Sequence, residues 1–451
     1  MLPVFLVAAI AALLLLVLRF KLPAFLALML VAIGFGLASG MPGEAVVGAI
    51  QSGMGGTLGF VAVVVGLGAM FAGLLEHAGG IRAIADRLLA VFGERRTGLA
   101  LGVGGFVVAI PVFFDVAFIL LVPLIHRLSS RSGISRLHYA IPLLAGLCVT
   151  HAFMPPHPGP VAVGELLKAD PGWVIVMAFA CGLPAMLVAG PLFARRFRHL
   201  PAEATQDAPA SSGSDDERPA MESAATTPAI GFGAALGAVL LPVVLILGNT
   251  IGGALLPPGA VRDALSFIGH PFVALLIACL HAHLVFGVAR RIPLDRLREI
   301  MTRALEPAGT VVLVTGAGGV FKQILVDSGV GAQLGASLAA HSLPIMPLAF
   351  LFAAIIRVAQ GSATVAMITG ASLVAPVLAL VPLSAPQLAL VVIAIASGAT
   401  IASHVNDSGF WLVSRYLQIN EADTLRSWTV ASTLAGTTGF IVAWVLFPMS
   451  G

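Results

Sequence analysis

The stretch IPVFFDVAF, Ile110–Phe118, puts a proline and a carboxylate in the middle of an apolar segment running from residue 98 to 126. That segment is long enough to cross a bilayer, since about 20 apolar residues span the hydrocarbon core. The charges on either side argue against a single crossing. Residues 76–97 carry Arg82, Arg87, Arg95 and Arg96, and residues 127–136 carry Arg127, Arg131 and Arg136. Short loops rich in Lys and Arg stay on the cytoplasmic side. Segment 98–126 therefore enters and leaves by one face, as a re-entrant hairpin. Non-helical backbone at that depth is tolerated only where protein buries it or a cavity lies beside it.

The rest of the 451 residues is built for lipid: 59% are hydrophobic and 10% charged, with a mean hydropathy of +1.03. A soluble domain carries about a quarter charged residues. Further apolar segments fall near 2–18, 22–39, 57–75, 137–154, 173–194, 228–250, 266–288, 307–325, 345–383, 387–403 and 428–448. The first lacks a positive leader region and a small-residue cleavage site, so it reads as a retained span. The net charge of +3 sits in short loops, a pattern that orients membrane proteins and does not point to nucleic acid. Cys148, Cys181 and Cys279 lie far apart inside apolar runs and form no metal or redox motif. No nucleophile–base pair, metal set or nucleotide motif points to an enzyme or a cofactor.

Segment 345–383 is interrupted in the same way, by RVAQGSATVA with Arg357, Gln360 and Gly361 at membrane depth. Read as a second hairpin, it puts every basic cluster on one side. Arg19 with Lys21, Arg195 to Arg198, the five arginines of 289–306, and Arg415 with Arg426 are all cytoplasmic, and both termini lie outside. A repeat then emerges. GLGAMFAGLLEHAGG (66–80) aligns with GAGGVFKQILVDSGV (316–330), matching Gly66/Gly316, Gly68/Gly318, Phe71/Phe321, Leu75/Leu325 and Gly79/Gly329. In each half a hairpin with a polar tip follows, and then a span ending in a histidine, which pairs His151 with His404. The halves run in opposite directions. Inverted repeats with interrupted helices in corresponding positions mark a transporter binding site.

The expected organisation has transmembrane helices over 1–56, a first repeat over 57–198, connecting helices over 228–306 and a second repeat over 307–451. Residues 199–227, rich in Ala, Ser, Asp and Glu, read as a flexible cytoplasmic linker.

Four motifs, VFFDVAFILLVPLI, HAFMPPHPGPVA, GSATVAMITG and SHVNDSGFWLVSRYL, occur in this order and together resemble the gluconate:proton symporter (gluconate permease) family. That family belongs to the ion-transporter superfamily. The resemblance covers nearly the whole chain. It implies a multi-pass protein of the bacterial inner membrane with a scaffold part and a mobile transport part. A homodimer, an elevator mechanism, and uptake of gluconate or related sugar acids with protons are implied as well. Relatives that carry D-serine or small hydroxy acids resembling D-glycerate keep the substrate open, and sodium coupling or a passive anion channel are the competing modes.

A carboxylate at membrane depth is costly and marks function by default, which singles out Asp115 and Asp407 as proton carriers or substrate ligands. As structural groups, both would cap broken helices by accepting backbone N–H bonds. His151 and His404 are further coupling candidates, or else hydrogen-bonded packing residues. Gly361, Ser362 and Thr364 on one tip suit an anionic polyol, as do Asn406, Ser408 and Gly409 after the other break, with Asp407 as a further ligand. Small residues let the backbone approach, exposed helix N-termini attract an anion, and Asn and Ser both donate and accept. His404 joins that set. Arg357 either neutralises the substrate carboxylate or pairs with a buried acid in the hairpin. His157 either binds substrate or sits at the outer surface beside its prolines, and no acidic or Cys partner at ligand spacing makes it a zinc ligand. Lys322 reads as a snorkelling cation.

Overall fold

Runs of Leu, Val, Ala and Gly leave the backbone one way to satisfy its N–H and C=O groups in lipid without closing a barrel, the α-helix. The computed structural model describes residues 8–9, 11–13, 15–16, 19–93, 96–200, 230–329, 344–378 and 381–450. Among these residues every regular element is helical, and seven helices are long and apolar enough to cross a membrane. Most of the first predicted span and of the linker at 199–227 lies outside the described residues.

The helices of the first half are α1 (Ala24–Ala38), α2 (Gly43–His77), α3 (Gly80–Phe92), α4 (Thr97–Val108), α5 (Phe114–Ser132), α6 (Arg136–Phe153), α7 (Pro158–Leu167) and α8 (Pro171–Leu187). Then come α9 (Phe232–Leu255), α10 (Ala260–Ile268), α11 (Pro271–Ala282) and α12 (Leu294–Arg303). The second half has α13 (Glu306–Asp327), α14 (Ile345–Gln360), α15 (Ala363–Leu378), α16 (Ala385–Thr400), α17 (Ser408–Leu417) and α18 (Val430–Leu446). α8 continues through a π-turn at Val188–Leu192, and a π-turn at Leu425–Thr429 leads into α18.

α4 has 12 residues, about 18 Å at 1.5 Å per residue, too short for a hydrocarbon core of about 30 Å. It stops at the tip 109–113, where Pro111 cannot continue a helix, and α5 returns. α14 and α15 form the second hairpin, turning at Gly361 (φ 84°). A broken helix follows each hairpin: α6 and α7 across residues 154–157, and α16 and α17 across 401–407. In the first break Pro155 and Pro156 end the helix and Pro158 restarts it, its missing N–H costing nothing at a first turn. In the second, Asp407 caps α17 by accepting from Gly409 N at 3.1 Å.

The sequence repeat corresponds to conformation. Gly79 and Gly329 both end their helices with φ near 70°, at 74° and 72°. Phe71 with Phe321, and Leu75 with Leu325, are buried pairs. In each half the first hairpin helix packs on the broken helix that follows, α4 on α6 and α14 on α16. The second hairpin helix reaches across to the other half's short helix, α5 to α17 and α15 to α7. α2 and α13 cross where a Cβ on Gly53 would stand 2.6 Å from the Gly319 carbonyl oxygen, so small residues set this contact.

Three stretches between the predicted apolar segments hold helices. Residues 76–97 contain α3 and 289–306 contain α12, both amphipathic, with arginines that in sequence signal only a polar connection. Residues 155–172 contain α7, almost wholly buried, whose 10 residues are too few to register as a span.

Candidate functional site

Each break is tied to its own hairpin tip. In the first half His157 Nε2 donates to the carbonyl of Ala109. In the second, His404 Nε2 donates to Val358 O at 3.0 Å, and Asn406 Nδ2 donates to Val358 O at 2.8 Å and Ala359 O at 3.3 Å. By role the counterpart of His404 is His157, not the His151 that the sequence alignment pairs with it. His157 is 3% exposed, so it does not sit at the outer surface; the bond to the tip carbonyl draws it inside.

The second break is more heavily fastened. Arg357, 4% exposed, donates through Nη1 to the Gly361 carbonyl and through Nη2 to Asp407 Oδ2. Of the two roles open to Arg357 in sequence, pairing with a buried acid is the arrangement seen, and the acid lies in the break, outside the hairpin. Asp407 Oδ2 also accepts from Ser403 Oγ, which in turn accepts from Trp428 Nε1 at 2.7 Å. Thr429 Oγ1 donates to the Ser403 carbonyl, Ser403 N donates to Ser432 Oγ at 3.1 Å, and Ala402 N donates to Thr433 Oγ1 at 3.1 Å. The sequence reasoning missed this lattice from α18 and the π-turn before it. Its signal was present in SWTVAST, which puts Trp428, Thr429, Ser432 and Thr433 on one helical face inside an apolar span.

Asp115 presents a contrast. It is exposed on the first turn of α5 and makes no hydrogen bond or ion pair among the described residues, although it lies close enough to Asp407 for their charges to interact. The two carboxylates thus share one centre in different states, one held by three donors and one open.

Four helices begin at this centre: α5, α7, α15 and α17. A Cβ on Gly409 would come within 3.6 Å of Phe114, and Gly159 lies against Met367, so the N-termini sit together in pairs from opposite halves. Each brings unpaired backbone N–H groups and a partial positive charge. Ser408 and Asn406 are exposed here, and Ser362 and Thr364 are half-buried on the α15 side. Ser362 Oγ accepts from Val365 N at 3.4 Å. The rings of His151 and His157 are 4.6 Å apart, and Phe113 of the first tip touches both. His151 Nδ1, His157 Nδ1, Arg357 Nε and Gln360 Oε1 are buried with no hydrogen-bond partner among the described residues.

The other ends of the short helices are clamped. Lys322 does not snorkel: its Nζ donates to Leu166 O at 2.6 Å, at the C-terminus of α7. Arg136, 3% exposed, donates to Leu417 O at 3.1 Å, at the C-terminus of α17. Both helices then end in a left-handed residue, Lys168 (φ 59°) and Gln418 (φ 56°). A cation at a helix C-terminus complements its dipole.

Paired hairpins set against paired broken helices, with a polar centre inside a helical membrane bundle, are the architecture of a membrane transporter. Comparison with known proteins narrows the class: residues 1–449 match the GntP family permease model, and the chain belongs to that family. It is 42% identical over 451 residues to the low-affinity gluconate transporter of Escherichia coli (strain K12), covering 98% of this chain and 97% of the relative. It is 41% identical over 432 residues to the gluconate permease of Pseudomonas aeruginosa, covering 95% and 94%. Its fold is similar to that of the YdaH transporter of Alcanivorax borkumensis, with a TM-score of 0.67 and 16% identity over 94% of this chain and 98% of that one.

Proposed function

We propose that this permease imports gluconate or a closely related sugar acid across the bacterial inner membrane, together with protons, by alternating access. The observation that carries the coupling is the open Asp115 beside the locked Arg357–Asp407 pair. A carboxyl that must gain and lose a proton needs room to do so. Asp407 already accepts from Arg357, Ser403 and Gly409, and a proton there would displace a donor. Asp115 is therefore the proton carrier in this account, and Asp407 holds the second break to the second tip. The substrate carboxylate lies among the converging helix N-termini, and its hydroxyls bond to Asn406, Ser408, Ser362 and Thr364. The names of the relatives support the substrate class. By the same family resemblance the protein works as a homodimer, with an elevator movement of the hairpins and broken helices, and with both termini outside.

Proteoliposomes given labelled gluconate and other sugar acids under imposed proton or sodium gradients test this. Accumulation of a sugar acid driven by a pH gradient without sodium is expected. Accumulation that follows a sodium gradient at constant pH would overturn the coupling. Failure to exchange internal for external substrate would point to a channel.

A further inference from the structure

On the side that the arginine clusters mark as cytoplasmic, a cavity of about 430 Å³ opens between α2, α12 and the first hairpin tip. Its lining includes Glu76 and His77 from the end of α2, with Arg296, Glu299 and Arg303 from α12. Its inner wall includes Phe113 and Val116, which bracket Asp115 along the chain. Glu299 takes both arginines, accepting from Arg296 at 2.7 Å and pairing with Arg303 at 2.7 Å. Glu76 is half-buried and makes no hydrogen bond or ion pair among the described residues. Leaving a carboxylate unpartnered against an apolar wall costs free energy. A structural carboxylate at this place would share one of the two arginines. Glu76 shares neither.

We propose that Glu76 relays the coupled proton from the site to the cytoplasm. The step rests on the proposed role of Asp115. The O–H bond of protonated Asp115 breaks, its proton passes through water in the cavity to the Glu76 carboxylate, and Glu76 returns it to cytoplasmic water; no electrons move. The charged groups that line the cavity with Glu76 are His77 on its own helix and Arg296, Glu299 and Arg303 on α12, with Arg290, just before α12, acting on His77; Asp115 lies on the first turn of α5, between the wall residues Phe113 and Val116. α13 contributes Pro307 to the wall, and α3 contributes no residue among those described.

The test uses full-length protein in proteoliposomes, comparing Glu76→Gln, Glu76→Asp and Asp115→Asn. In Glu76→Gln, uptake driven by a pH gradient should slow about tenfold or more, and its dependence on internal pH should flatten. Exchange of labelled for unlabelled substrate at equal pH should be retained. Glu76→Asp should restore both the rate and the pH profile. A Glu76→Gln protein with the wild-type rate and internal-pH profile overturns the relay, as does one that loses exchange along with uptake. Should Asp115→Asn keep gradient-driven uptake, the coupling role of Asp115 fails instead. Loss in Asp115→Asn beside a silent Glu76→Gln removes the relay alone.

Discussion

Arg357, in the last turn of one hairpin helix, pairs with Asp407, the residue that caps the helix after the next break. Their side chains are 5% and 13% exposed. A buried pair of this kind is not strong evidence for stability, but removing one partner leaves a charge stranded. Arg357→Met or Asp407→Leu alone should destabilise the protein by about 3–5 kcal/mol. The double variant should recover a large part of that loss. Thermal unfolding of the three variants in detergent checks this, and simple additivity of the single losses would show that the two side chains do not depend on each other.

Gly361 makes the second tip possible. Its φ of 84° is one that L side chains rarely adopt, and an added Cβ would run into the carbonyl of Asn406. Gly361→Ala should reach the membrane yet push the tip away from Asn406 and abolish exchange. Wild-type exchange in that variant would mean that the tip and the break need not touch.

How much of this was legible in sequence depends on the distance over which each feature is determined. The hairpin at 98–126 was, because the arginines on both sides fix how its ends run, and the repeat was, because Gly79 and Gly329 serve the same local turn. α7 was not, because four prolines among residues 155–160 look like a loop until the fold buries them. The choice between two roles for Arg357 stayed open because its partner is 50 positions away, set only when the break folds onto the tip. The outer-surface alternative for His157 failed for the same reason: only the bond to Ala109, 48 positions earlier, brings it inside.

The orientation rests on charge and is open to direct measurement. Asp295 on α12 has a side chain 94% exposed, so Asp295→Cys is accessible to a thiol reagent wherever α12 faces water. An impermeant reagent should label it in permeabilised cells and spare it in intact ones. Labelling of intact cells would place α12 outside and reverse the topology.

The central claim is that Asp115 carries the proton and Asp407 builds the site. It is tested most directly by measuring pH-gradient-driven accumulation and substrate exchange side by side in Asp115→Asn and Asp407→Asn. An amide keeps the shape of the side chain but does not titrate in this range. The account predicts that Asp115→Asn exchanges substrate but does not accumulate it. Asp407→Asn should do neither, because the cap of α17 and the partner of Arg357 are weakened together. Full gradient-driven accumulation in Asp115→Asn would contradict it.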